Sequence, residues 1–302
     1  MSVLHVLLPS PPPCSDAALR RWLARGDRLP DVPGSRDAQV RRLFRFPGEA
    51  FPVAALRHHV HAGDAARGSW LCADPAYVRG EPTGARLMAC PIPDLSGDEA
   101  QALAATLGPL FEDAGLALAA DSPSAWCLHV GQALAGVAFT RPADALGADL
   151  LACLPAGEGG RRWRHLFSGA QIALHAHPVN AARIAAGKVP VNALWFWGAG
   201  SLPVAVETDL TVVATTDDVV RGLAKLAGVD IAEPSPEALE STVGDGLLDL
   251  GAVMSSEESS RWLPFFEQAL GRRRFDSVEL VLPAGERFRV RHAYRLRFWR
   301  RG

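Results

Sequence analysis

Lysine is nearly missing from this chain: Lys188 and Lys225 are the only two among 31 basic residues. With Ala and Gly abundant, that bias reads as a GC-rich bacterial genome rather than a selection for guanidinium groups. Cysteine is sparse and scattered, at Cys14, Cys72, Cys90, Cys127 and Cys153, with no Cys-x-x-Cys pair. That pattern argues against a disulfide framework or a structural zinc site and fits a reducing compartment. No stretch approaches the roughly 20 apolar residues needed to cross a bilayer. Neither sign of charge dominates, since the formal net charge is −2, so no global field draws nucleic acid or an acidic membrane surface. The opening MSVLHVLLPSPPP has no basic n-region and no small-residue cleavage site, and a cytoplasmic protein is expected. Walker A, dinucleotide and Gly-x-Ser-x-Gly signatures are absent.

What is present is a chain of 302 residues, 48% hydrophobic and 21% charged, long enough for a large core. The pattern predicts a strand at 3–8, a helix after Asp16 ending at Gly26, and a second helix near 36–44. Strands are expected in SWLCA and ARLMAC, with no other firm element between Pro47 and Pro93. The helix over 97–113 carries a capping box, Ser96 with Glu99, and an apolar face of Leu103, Leu107, Leu110 and Phe111. A strand in AWCLHV and a helix over 161–174 follow.

Beyond these, continuous apolar runs at 191–197 and 210–214 read as strands buried on both faces. The second precedes a helix capped by Thr216. Ser255 and Glu258 box a helix carrying Trp262, Phe265, Phe266 and Ala269. The C-terminal ERFRVRHAYRLRFW alternates strictly. Phe288, Val290, Tyr294, Leu296 and Phe298 should face inward, and Arg287, Arg289, Arg291, Arg295 and Arg297 should face water. The expected architecture is α/β: a mixed central sheet flanked by helices, with an antiparallel C-terminal hairpin. A single α/β domain over 1–302 is expected, with 1–124 as an N-terminal subdomain within it.

Chemistry is concentrated in HPVNAARIAAGKVPVNALWFWGAG, His177 to Gly200. Ligands of open α/β sheets collect at the carboxyl ends of strands, and Gly198-Ala199-Gly200 would lie at such an end. Asn180, Arg183, Lys188 and Asn192 supply donors suited to a phosphate or carboxylate. The bland alternative is a tight turn after a buried strand. His58-His59-x-His61 and His175-x-His177 read as surface or turn histidines lacking an acidic partner. The run Arg272-Arg273-Arg274 and the C-terminal Arg stripe read as solvated rather than as a nucleic-acid surface.

The pattern His-Pro-x-Asn-x-x-Arg, Gly-Lys-x-Pro-x-Asn-Ala, apolar strand and Gly-Ala-Gly resembles the archaeal-type cofactor-independent phosphoglycerate mutases, metalloenzymes of the alkaline phosphatase superfamily. VVATTD and VVRGLAKLAGVDI extend the resemblance, which covers a quarter of the chain. It implies a mutase/phosphatase-like fold. The departures are specific: Trp197 stands where that family has Arg, the first strand runs into PSPPP without the Asp-Gly metal ligand, and Val281 replaces an expected His. No Asp-x-x-Gly-His follows. Along most of the chain, ADPAYVRGEPTGARLM, PLFEDAG, LGADLLACLP and PVNALWFWGAGSLP resemble the RpfE-type regulatory proteins of proteobacteria.

Together these imply a non-catalytic regulatory protein of mutase-like descent, with no catalytic residue, metal ligand or cofactor. An anion pocket of Asn180, Arg183, Lys188, Asn192, Gly198 and Gly200 would take a small phosphorylated or carboxylated metabolite. A protein partner is also expected, a membrane is not, and nucleic acid is not favoured. Two alternatives stand beside this: a metal-dependent mutase or phosphatase with a rearranged site, and a pure interaction module using Trp195, Trp197 and the aromatic helix at 262–266.

Overall fold

A computed structural model describes residues 2–8, 17–48, 51–63, 65, 68–82, 84–131, 134, 136–251 and 256–296. In chain order the elements begin β1 (Val3–Leu7), α1 (Ala17–Ala24), β2 (Asp27–Leu29), α2 (Arg36–Arg41), α3 (Val53–His61), β3 (Trp70–Glu81), β4 (Gly84–Ala89) and α4 (Gly97–Asp113). They continue with β5 (Ala117–Ala120), β6 (Trp126–His129), α5 (Pro142–Ala145), α6 (Leu150–Cys153), α7 (Gly157–His175), α8 (Pro178–Ala185) and β7 (Ala193–Gly200). The rest are β8 (Leu210–Ala214), α9 (Asp218–Ala227), β9 (Asp230–Ala232), α10 (Pro236–Glu240), β10 (Asp245–Asp249), α11 (Ser256–Gly271), β11 (Ser277–Val281), β12 (Arg287–Arg291) and a closing 3-10 turn, His292–Leu296.

The chain forms two compact units, one of residues 1–47 with 204–302 and the other of residues 48–203, so the second is inserted in the sequence of the first. Residues 1–124 contribute to both.

The discontinuous unit holds a seven-stranded sheet in the order β2-β12-β11-β1-β10-β8-β9. Strands β11, β1, β10, β8 and β9 run parallel, while β12 and β2 add an antiparallel edge. This is the expected mixed sheet with its C-terminal hairpin. Strands β8 and β11 are near-continuous apolar runs because both faces are covered. One face carries Leu4, Val6, Val278, Leu280 and Leu248 against Trp22 of α1 and Trp262, Phe265 and Phe266 of α11. The capping box expected at Ser255 and Glu258 lies outside the described residues. Asp217, rather than Thr216, caps α9, accepting from the amides of Val219 and Val220. The alternating C-terminal segment is a strand only as far as Arg291, where the 3-10 turn takes over.

The inserted unit is built on β3. Its first half pairs with β6 and its second half with β4, and β7 runs along it from Trp70 to Ala76. Helices α4 and α7 cover one face through Leu103, Leu107, Phe111, Trp163, Leu166 and Phe167. The capping box at Ser96 and Glu99 is formed as the sequence predicts. Two features differ from expectation. The interval 47–93 contains α3, and Gly198 and Gly200 do not form a turn but continue β7. A Cβ at Gly198 would lie 2.9 Å from Val53 Cβ, and one at Gly200 would lie 2.7 Å from Pro52 Cβ. These glycines let the first turn of α3 lie directly on the strand, and Gly198 also adopts φ +62°.

Candidate functional site

In the discontinuous unit, β1, β10, β8 and β11 end along one edge of the parallel sheet, the edge where such folds place ligands. Asp249 closes β10 at 2% exposure, and its carboxylate is fully engaged. Oδ2 accepts from Thr215 Oγ1 at 2.7 Å and from Arg36 Nη2 at 2.5 Å, while Oδ1 accepts from the Gly251 amide at 3.0 Å. The same Arg36 nitrogen donates to Asp217 at 3.0 Å. Arg36 reaches this point because Ser35 caps α2, whose Gln39 donates to the carbonyls of Leu282 and Pro283 beyond β11. Burial opposes the charge on Arg36, but Asp249 and then Asp217 outweigh it and raise its pKa further. Gly251 completes the seat, since a Cβ there would lie 3.0 Å from the guanidinium. A cationic side chain of the protein therefore sits between the two carboxylates of the ligand edge. Sequence reasoning missed all three residues. The available signal was Asp249 itself, an acid at the end of the buried run GLLDL.

A second polar group crosses the same sheet. His5, Glu279 and Arg289 are register partners on β1, β11 and β12. Glu279, 1% exposed, accepts from Arg287 at 2.8 Å and Arg289 at 3.1 Å and pairs with Arg42 at 2.8 Å. Arg287 and Arg289 are thus not the water-facing stripe their alternation suggested: a buried carboxylate turns them inward. Burial raises the Glu279 pKa, but Arg42 and Arg287 more than offset this and leave it below the usual carboxylate value. His5 is pushed down to about 4, first by burial and further by Arg42, against the opposing pull of Glu279. It is therefore neutral at pH 7, although it lies 3.8 Å from Glu279.

Between about 4 and 6.5 the unfolded chain holds a proton on His5 that the folded chain does not, so stability is present above this window and falls as pH drops through it. The expected loss is on the order of 3 kcal/mol. Urea midpoints at pH 7 and pH 4.5 should differ accordingly, and His5→Gln should flatten that difference. An unchanged slope in the variant would refute the assignment.

In the inserted unit, the residues singled out from sequence occupy well-defined positions. Asn180 donates to the carbonyls of Leu174 and Val191 and accepts from the Val191 amide. Arg183, 1% exposed, donates to the carbonyls of Val189, Asp94 and Pro93 and to Glu99 at 2.8 Å. Asn192 exchanges two hydrogen bonds with the Val78 backbone. Lys188 is exposed. The donors of Asn180, Arg183 and Asn192 thus bind the protein's own backbone and join α8 to its surroundings.

His58 is not a surface histidine. It is buried, lies 2.7 Å from Asp121 and stacks on Trp70 at 3.7 Å. Nearby, Asp74 takes a bidentate contact from Arg57 at 2.9 and 3.0 Å, with further donors from Trp197 Nε1 and the Trp126 amide. Trp197 thus serves a buried ion pair. Among the described residues, no three His, Cys, Asp or Glu side chains converge as a metal-ligand set.

No family model matches the chain. A probable 2,3-bisphosphoglycerate-independent phosphoglycerate mutase of Geobacter sulfurreducens is 37% identical over 101 residues, 32% of this chain and 25% of that protein. The 2,3-bisphosphoglycerate-independent phosphoglycerate mutase of Methanosarcina barkeri is 34% identical over 99 residues, 31% of this chain and 25% of that protein. The aligned part of the chain spans about a quarter of the length of these relatives. Among solved structures, the PH0037 protein from Pyrococcus horikoshii superposes with TM-score 0.50 at 12% identity, covering 95% of this chain and 86% of that one. A cofactor-independent phosphoglycerate mutase from Thermoplasma acidophilum gives TM-score 0.46 at 15% identity, covering 96% and 89%. About a third of the chain is thus mutase-like in ancestry, and the fold is mixed α/β with a central sheet and flanking helices.

Proposed function

We propose that this chain is a non-catalytic regulatory protein of the RpfE type, descended from a phosphoglycerate-mutase-like ancestor and working in the cytoplasm. The observation that carries the reading is Arg36, whose guanidinium lies against Asp249 and Asp217 at the carboxyl edge of the parallel sheet. A phosphoryl-transfer centre of the two-metal kind needs acidic side chains free to hold divalent ions and to activate a nucleophile. The residues at this edge do not fit such a pair of ions. Both carboxylates are neutralised by a side chain of the chain itself, and Asp249 has no oxygen left unengaged. The regulatory assignment draws on the sequence resemblance along most of the chain.

The test is an assay of the purified chain with 3-phosphoglycerate and Mn²⁺, paired with thermal unfolding. No mutase or phosphatase turnover and no Mn²⁺-dependent rise in Tm are expected for the native sequence. Arg36→Ala should expose Asp217 and Asp249 and create a Mn²⁺-dependent stabilisation that the native chain lacks. Metal-dependent turnover by the native chain would overturn the proposal.

A further inference from the structure

At the opposite edge of the same sheet, where β1 and β10 begin and α11 turns into β11, lies a cavity of about 390 Å³. Its wall carries Arg272, Arg273 and Arg274 against one carboxylate, Glu240. Among the described residues none of the three guanidinium groups has a hydrogen-bond or ion-pair partner. Thr242 also lines it and is 8% exposed.

The backbone adds an independent observation. The amides of Arg273 and Arg274 close the end of α11 on the carbonyls of Leu270 and Ala269, and Arg273 takes φ +56°. That left-handed position is usually given to glycine. The favourable field of a helix C-terminus accounts for a cation in the last turn. It does not account for an arginine kept in the strained position.

We propose that this cavity binds a small organic phosphate monoester. Guanidinium groups match phosphate oxygens with paired donors, and three of them against one carboxylate leave the surplus positive charge that a phosphate dianion neutralises. Phe265 and Ala269 offer an apolar wall to the organic part. The volume lies within the range of small-molecule sites. The inference is independent of whether the carboxyl edge is catalytically silent, because its test measures binding without turnover.

Calorimetric titration of the full chain with AMP, adenosine and inorganic phosphate tests it. AMP should bind, phosphate should compete, and adenosine should not bind. Arg272→Gln and Arg274→Gln should each weaken AMP at least tenfold, while Arg221→Gln, a charge lost elsewhere, should not. Arg273→Gly is the decisive variant, since glycine suits the backbone there: it should keep or raise Tm and still lose AMP at least tenfold. Absence of AMP binding, or AMP binding unchanged in the three arginine variants, would overturn the site. A short single-stranded oligonucleotide that binds far more tightly than AMP through the same arginines would replace it with a nucleic-acid surface.

Discussion

Glu279→Gln is expected to cost about 3–5 kcal/mol, the range for removing one partner of a buried ion pair. The substitution keeps the shape of the side chain and removes only its charge. Arg42, Arg287 and Arg289 then face a neutral amide in a region where the carboxylate is 1% exposed. Arg42 Nε and Nη2 and Arg289 Nε already lack hydrogen-bond partners among the described residues. On thermal unfolding the drop in Tm should be on the order of 10 °C. The pH dependence follows from the lowered Glu279 pKa. Its contribution is present above the ordinary carboxylate range and is lost as pH falls through the depressed folded value, so the variant should lose that part of the acid limb. A Glu279→Gln protein as stable as the native one would mean that the arginines are solvated and the seam does not exist.

Asp74→Asn should be comparably damaging, again by about 3–5 kcal/mol. One carboxylate there accepts four hydrogen bonds, two of them from Arg57. An amide presents a donor where a donor already points, and it leaves the buried guanidinium without its counter-charge. The double variant Asp74→Leu with Arg57→Met should lose much less than the sum of the single ones, because no charge is then left buried. Urea denaturation of the four proteins closes the cycle. Additive losses would show that the two side chains do not interact, contrary to the geometry.

Legibility in the sequence followed how local the causes were. Helix α4 was readable to the residue because its capping box, Ser96 and Glu99, lies three positions apart in the chain. Helix α3 was not: Pro52 at its start makes no side-chain cap, and the helix carries three histidines. What holds it is burial, with Ala54, Ala55 and Leu56 all at 0% exposure. The same helix explains why Gly198 and Gly200 were misread as a turn, since the glycines answer to Pro52 and Val53, far away in sequence. The Arg stripe of β12 failed for a similar reason. Period two separates faces but does not say that a facing strand hides a carboxylate; the Glu inside VELVL was the clue. At the carboxyl edge, Arg36 and Asp249 are 213 residues apart, and no pattern in either neighbourhood announces the other. Asn180 and Arg183 have the chemistry of an anion site, but side-chain type alone does not reveal whether a donor meets a ligand or a carbonyl.

The insertion of one unit within the other also sets the order in which the protein can be made. Val3 on β1 meets Asp245, 242 residues later, and its other neighbour, β11, follows later still. The 48–203 unit is continuous and has all its partners before those strands are synthesised. At translation rates of about 5–20 residues per second, β1 waits on the order of ten to fifty seconds for its neighbours. During that time VLHVL is a nascent apolar strand with both edges open, the kind of segment most exposed to pairing with another chain until the last quarter of this one is synthesised.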